Sequence, residues 1–282
     1  MSHNPTRSRG AKLRAAIALA AIALCGIVAA ALVIAGGLYN VAATEQHFAP
    51  VYHAMQATML SSVRRRARDI VAPPSSVSSA SSGAALYREH CVPCHGAPGI
   101  APRAFALGLN PQPANLVYTA RNWSVREVVW VVKHGIRMTG MPAWSYRFSD
   151  EEIWAVSAFV KRLPELTPED YAALPPATSD LPGTGAAVGG GDPRRGADAL
   201  HQYACITCHQ IPGAVGATVP VGPPLDHYAS RSYVAGALVN TPDELARWLR
   251  APHAVKAHTA MPDLGMTERD ARDIAAFLHS LH

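Results

Sequence analysis

Charged and aromatic side chains are scarce in this 282-residue chain, at 16% and 7%. So few large side chains exclude one big self-sufficient core, and the length suits two small folded units. Unpaired cysteine is nearly absent. Four of the five cysteines fall in Cys91-Val92-Pro93-Cys94-His95 and Cys205-Ile206-Thr207-Cys208-His209, which leaves Cys25 alone and argues against a disulfide framework. Cys25 lies in an apolar run and reads as a small buried hydrophobe, and Leu24 before it is too large for a lipoprotein cleavage site. No carboxylate pair at a recognisable spacing and no nucleophile elbow stands out. Gly183-Thr184-Gly185 has no strand before it, and Val188 sits where a dinucleotide loop needs its third glycine. Strand-type alternation is also missing, so the chain reads as all-α.

The formal charge of +5 and the pI of 9.1 point to nucleic acid only until the charges are placed. Residues 1–39 hold Arg7, Arg9, Lys12 and Arg14 with no acid, and residues 40–82 hold Arg64, Arg65, Arg66 and Arg68 against Glu45 and Asp69. From residue 83 onward 17 basic residues face 18 acidic ones. The excess therefore flanks the apolar run, and the composition predicts a membrane rather than a nucleic acid as partner.

Ala15 to Leu38 is a 24-residue run without charge, roughly 36 Å long as a helix and enough to cross a bilayer. Basic residues precede it and none follows closely, which predicts a cytoplasmic N-terminus (1–14), a single transmembrane helix (15–38) and the remainder outside. A cleaved signal peptide is the rival, with Val41-Ala42-Ala43 as cleavage site, but its apolar region would be shorter. In the 39–82 segment, Val51, Met55, Met59, Val63 and Ile70 repeat by threes and fours, as in an amphipathic helix lying on the membrane or a stalk packed on the first folded unit. A connector rich in Pro and Ser follows. The folded units are expected at 83–172 and 193–282, joined by a Pro/Gly-rich mobile linker at 173–192 that lets one unit swing between partners. Capping boxes are expected at Ser124 with Glu127, Ser149 with Glu152 and Thr241 with Glu244, and Thr267 with Asp270 opens the last helix.

Both units repeat one pattern: a short helix, the CxxCH, a Pro/Gly loop, a capped helix, a Met-Pro pair and a final capped helix. In a helical CxxCH the two cysteines share a face and can form thioethers with haem vinyl groups, while the following His reaches the iron. The expected cofactors are thus two covalently bound haem c groups held by Cys91, Cys94, Cys205 and Cys208, with His95 and His209 on the iron. A thioredoxin-like site would need a βαβ context, and zinc would need further ligands at suitable spacing. The other axial position decides between carrier and catalyst, since a Met there leaves no open place for a reactant. Met141 stands 46 residues after His95 and Met261 stands 52 after His209, both before proline. They are the axial candidates, ahead of Met138, Met266, His134 and His258. The axial His must donate from its second nitrogen to a carbonyl. Pro223 is the expected acceptor for His209, and the 95–102 loop is expected to supply one for His95. Trp130, Trp144, Trp154, Tyr233 and Trp248 are candidate haem walls, and Arg231 a propionate partner.

On these residues both units resemble class I c-type cytochromes. The first, through Leu86-Tyr87, His95-Gly96-Ala97-Pro98-Gly99 and Gly135 to Trp144, looks like bacterial cytochromes that serve membrane dehydrogenases and oxidases. The second, through Val221-Gly222-Pro223-Pro224-Leu225, Trp248-Leu249-Arg250-Ala251-Pro252 and Met261-Pro262-Asp263-Leu264-Gly265, looks like the cytochrome c domain fused to subunit II of some haem-copper oxidases. A single span and the lack of a copper-site cysteine pair separate the chain from that subunit. The resemblance implies Cys91, Cys94, His95 and Met141, with Cys205, Cys208, His209 and Met261, as the haem ligands. It also implies an electron carrier of the bacterial inner membrane with periplasmic haem domains. Electrons would pass from a quinol-oxidising complex or dehydrogenase to a terminal oxidase, with no small-molecule substrate. A fixed cytochrome subunit of such a complex, or a haem peroxidase or gas sensor, are the alternatives.

Overall fold

A computed structural model describes residues 5–73, 80–174, 190–215 and 221–282. The contacts divide the chain into residues 1–51 and 52–282. The first part is dominated by helix α1 (Pro5–Ala35), of which Lys12–Ala35 is long and apolar enough to cross a membrane. It stops where Gly37 turns left-handed at φ +60° and the Leu38 N–H closes onto the Val33 carbonyl at 3.1 Å. Leu19, Ile22 and Ile34 are exposed on this helix, and so is Cys25.

Helix α2 (Ala49–Ala67) enters the second part. Tyr52 and Met55 are exposed, whereas Val63 and Ala67 are buried and Ile70 packs against the first core. Arg64 reaches Glu127 at 3.6 Å. The C-terminal half of α2 thus behaves as the packed stalk, its apolar positions four apart facing protein.

The first core is wrapped by α3 (Ala80–Leu86), a π-helical turn at Tyr87–Cys91, α4 (Val92–His95), α5 (Ala104–Leu107), α6 (Leu116–Asn122), α7 (Val125–His134), α8 (Asp150–Arg162) and α9 (Pro168–Ala173). Ser124 and Ser149 form full capping boxes with Glu127 and Glu152, and Thr167 forms a further one with Asp170. Arg88 donates to the Tyr171 and Leu174 carbonyls at 3.0 and 3.2 Å, pinning the end of the unit to its start.

The second core is built by α10 (Pro193–Gln202), α11 (Pro242–Arg250), α12 (Pro252–Val255) and α13 (Glu268–Leu278). Thr241 caps α11 by accepting from the Glu244 N–H at 3.2 Å, without the reciprocal arm that makes a capping box. Among the described residues the one sheet is a hairpin, β1 (Tyr233–Val234) with β2 (Leu238–Val239). Two-residue strands are too short to show alternation in sequence, and the turn between them puts Ala235 and Gly236 at φ 51° and 70°. The other regular elements among the described residues are helices.

One glycine in each unit sets the helix crossing. A Cβ on Gly83 would lie 2.2 Å from the Ala155 carbonyl oxygen, and one on Gly196 would lie 2.0 Å from that of Asp273. Only glycine lets α3 approach α8, and α10 approach α13, this closely. Beside the second crossing, the buried Asp270 and Asp273 are satisfied by Tyr203 (2.8 Å), the Asp192 N–H (2.7 Å) and Arg195 Nε (2.8 Å).

Candidate haem-binding sites

The cysteine motifs fold differently in the two units. Cys91 ends the π-helical turn and Cys94 and His95 lie on α4, whereas Ala204 breaks the chain with φ 53° and Cys205–Thr207 form a 3-10 turn. The expectation of two helical motifs therefore holds in the first unit, while in the second a left-handed residue separates the motif from α10. All four cysteines are free and partly covered. Burial pushes the Cys91 thiol up to about 12 and the Cys205 thiol up to about 11, so both stay neutral, as suits an apolar pocket.

The histidines behave alike. His95 Nδ1 donates to the Ala114 carbonyl at 2.9 Å, and His209 Nδ1 donates to the Pro223 carbonyl at 2.8 Å. A carbonyl can only accept, so each ring carries its proton on Nδ1 and presents the Nε2 lone pair. Burial also lowers the His95 pKa, against the opposing pull of Ala114, which keeps the ring neutral. Pro223 is the acceptor read from sequence. Ala114 is not: it follows the 95–102 loop, which instead closes on itself through Ala97 and Ile100. Gly222 abuts the His209 ring, where a Cβ would come within 2.4 Å of Cε1. In the first unit Gly96 has φ +67°, and Tyr87 donates to its carbonyl at 2.7 Å.

The two Met-Pro loops share a device that sequence reading passed over. Thr139 accepts from the Met141 N–H at 3.1 Å, and Thr259 accepts from the Met261 N–H at 3.2 Å. The signal was present as Thr-Gly-Met-Pro and Thr-Ala-Met-Pro. Met141 packs against the first core and Met261 against the second. Gly135 permits the close return of the first loop, because a Cβ there would stand 2.7 Å from the Met141 carbonyl oxygen. The rival residues separate cleanly. Met138 is 80% exposed, Met266 is buried filler, and His134 and His258 are exposed.

Trp144 stacks on Phe148 with ring centres 4.8 Å apart, and His90 packs against both. Trp154 joins the first core and Trp248 the second, while Trp130 pairs with His134 at 5.1 Å. Tyr233 is 61% exposed and joins neither core. Arg231 is committed to its own loop: it binds the Pro224 carbonyl, reaches the Asp226 carbonyl at 3.1 Å and lies over Tyr228. That bracing holds the loop carrying Pro223.

Among the described residues no three His, Cys, Asp or Glu side chains gather as a metal cage. Each unit instead offers two thiols, an imidazole with its outer nitrogen available and a thioether on a braced loop. That donor set fits a covalently held haem.

Comparison with known proteins agrees. Residues 78–160 match the family described as cytochrome c oxidase, cbb3-type, subunit III, and residues 194–282 match the family described as cytochrome c. Cytochrome c oxidase subunit 2 of Alkalihalophilus pseudofirmus is 32% identical over 88 residues, 31% of this chain and 25% of that protein. The chain thus spans about a quarter of that relative's length. A chain of the Kuenenia stuttgartiensis reducing HAO-like protein complex aligns with 75% of this chain and 99% of its own, at 14% identity and a TM-score of 0.28, too loose to carry an argument. Behind an N-terminal apolar helix, the protein carries two cytochrome c domains, one like the cbb3-type oxidase subunit III and one of class I, which imply two covalent haem c groups and a role as an electron carrier.

Proposed function

We propose that this chain is a membrane-anchored dihaem cytochrome c that carries electrons at the periplasmic face of the bacterial inner membrane, between a quinol-oxidising complex or dehydrogenase and a terminal oxidase. Its domains are residues 83–172 and 193–282. Cys91, Cys94, Cys205 and Cys208 would hold the haems, with His95 and Met141 as the iron ligands in the first and His209 and Met261 as those in the second. Bound haem supplies an iron that exchanges one electron.

The chain's own groups do the rest. The Nδ1 bonds to Ala114 and Pro223 fix each imidazole's tautomer and orientation. The Thr139 and Thr259 hydroxyls fix the backbone from which each thioether projects. An iron held by both His and Met would have no open place for a reactant, which suits transfer over catalysis. The observation that carries this reading is the pairing, in each domain, of a carbonyl-anchored histidine with a threonine-braced Met-Pro loop. The apolar α1 supports the anchor, and the likeness to oxidase cytochrome domains supports oxidase-linked partners.

The test is the full chain purified in detergent. Two haems per chain and a near-red Met-to-iron absorption in the oxidised protein are expected. Ready binding of carbon monoxide by the reduced protein at both haems would favour a peroxidase or gas sensor. The likeness of the first domain to an oxidase subunit also favours a second arrangement, a fixed subunit of an oxidase or dehydrogenase complex. Stoichiometric co-purification with such a complex would identify it.

A further inference from the structure

The 3-10 turn Trp144–Tyr146 follows the Met141 loop directly, and its two aromatic ends point to different places. Trp144 turns inward onto Phe148 and His90. Tyr146 does not join the first core; it packs against the second. Next to it, Arg147 lies over the ring of Tyr203 with its guanidinium carbon 5.6 Å from the centroid. Tyr203 closes α10 and donates to the buried Asp270, and its carbonyl lies 3.9 Å from the Cys205 sulfur. Burial raises the Tyr146 phenol, reinforced by Asp198 and Asp270 and opposed by Arg195, all of which belong to the second domain. The segment after one candidate axial Met is therefore seated on the segment before the other domain's first haem cysteine.

We propose that Tyr146 and Arg147 form a docking surface for the second domain at Tyr203, and that the electron passing between the two haems crosses at this contact. The inference rests on the dihaem reading above. It departs from the expectation of a unit swinging freely on a linker: the docked arrangement is the one in which the haems exchange. The step is a one-electron exchange in which ferrous iron of one haem becomes ferric as ferric iron of the other becomes ferrous, with no proton or bond transferred. The covalent path is long, since residues 147–203 separate the two sides in sequence, so transfer through the tertiary contact is the short alternative. The surface also matches chemically. A cation meets an aromatic face, and the Tyr146 ring packs on the second core within reach of the charges on Asp198, Arg195 and Asp270.

The test uses the full haem-loaded chain in detergent. Tyr146→Glu sets a carboxylate against Asp198 and Asp270, and Arg147→Ala removes the cation. Two readouts are taken: hydrogen exchange of the 199–206 segment, and the rate of haem-to-haem electron transfer after pulsed reduction. Arg147→Ala should raise exchange in 199–206 about threefold, the size expected from a lost cation–π contact. Tyr146→Glu should raise it about tenfold or more through like-charge repulsion and slow the interhaem rate in proportion. Adding Asp198→Lys to Tyr146→Glu should recover both. Unchanged exchange in 199–206 overturns the docking surface. Raised exchange with an unchanged rate overturns the electron route. Haem content and the near-red absorption are measured on every variant, so loss of haem in the parent chain would count against the dihaem reading rather than against the contact.

Discussion

Gly222→Ala is a test confined to one domain. The glycine needs no left-handed backbone, so alanine brings no φ strain, and its only effect is a methyl placed against His209. That methyl would lie 2.4 Å from Cε1, 2.8 Å from Nδ1 and 2.9 Å from Nε2. Carbon atoms settle at about 3.5–4.0 Å, so the ring must retreat by about 1 Å. A retreat of that size takes the 2.8 Å bond to the Pro223 carbonyl past hydrogen-bond range. Overpacking costs about 1–3 kcal/mol and the lost bond about 0.5–1.5 kcal/mol. At about 4–8 °C per kcal/mol for a domain of this size, the second domain should melt at least about 6 °C lower. Calorimetry resolves the two domains, and spectroelectrochemistry resolves the two haems. The melting point and reduction potential of the second domain should move while those of the first stay put. Unchanged values in the second domain, or equal shifts in both, would refute the argument that Gly222 exists to seat the His209 ring.

Thr139→Val and Thr259→Val each remove the acceptor for a methionine N–H; each should cost about 0.5–1.5 kcal/mol and weaken the near-red absorption of its own haem only. Gly83→Ala and Gly196→Ala drive a Cβ into backbone oxygen at 2.2 and 2.0 Å, which cannot yield as a side chain can, so each should destabilise its domain by about 3 kcal/mol or more in thermal melts. Burial lowers the pKa of His90. The unfolded chain then binds protons there that the folded first domain excludes. Stability is level above the ordinary histidine value of 6.5 and falls as pH drops through it toward the lowered value. The first domain's melting point should decline from pH 7 to pH 5, less so in His90→Gln; a rise over that range would contradict the assignment.

Much of the site was legible because it is local. CxxCH and the serine caps depend on neighbours a few residues apart, and such spacing survives as text; the Pro223 acceptor, 14 residues from His209, was carried by the Gly222-Pro223-Pro224-Leu225 segment. Ala114 was not legible: any residue can offer a carbonyl, and its choice is made by how the 103–115 segment folds back. The crossing glycines Gly83 and Gly196 stand eight and nine residues before Cys91 and Cys205, but a lone glycine in a helix reads as a weakness until the partner helix is placed. Tyr146 and Tyr233 show the same limit. Both are aromatic and near a motif, yet one reaches into the other domain's core and the other faces solvent. The 173–192 linker, including Gly183-Thr184-Gly185, falls largely at 175–189, outside the described residues.

Near-red absorption and carbon monoxide binding, recorded on the full chain beside Met141→Ala and Met261→Ala, test the central claim most directly. The account predicts that the parent chain shows Met-to-iron absorption from two haems and binds carbon monoxide slowly, and that each variant loses half of that absorption and opens one haem to the gas. A parent chain lacking that absorption, or binding carbon monoxide at both haems as fast as the variants do, would contradict it.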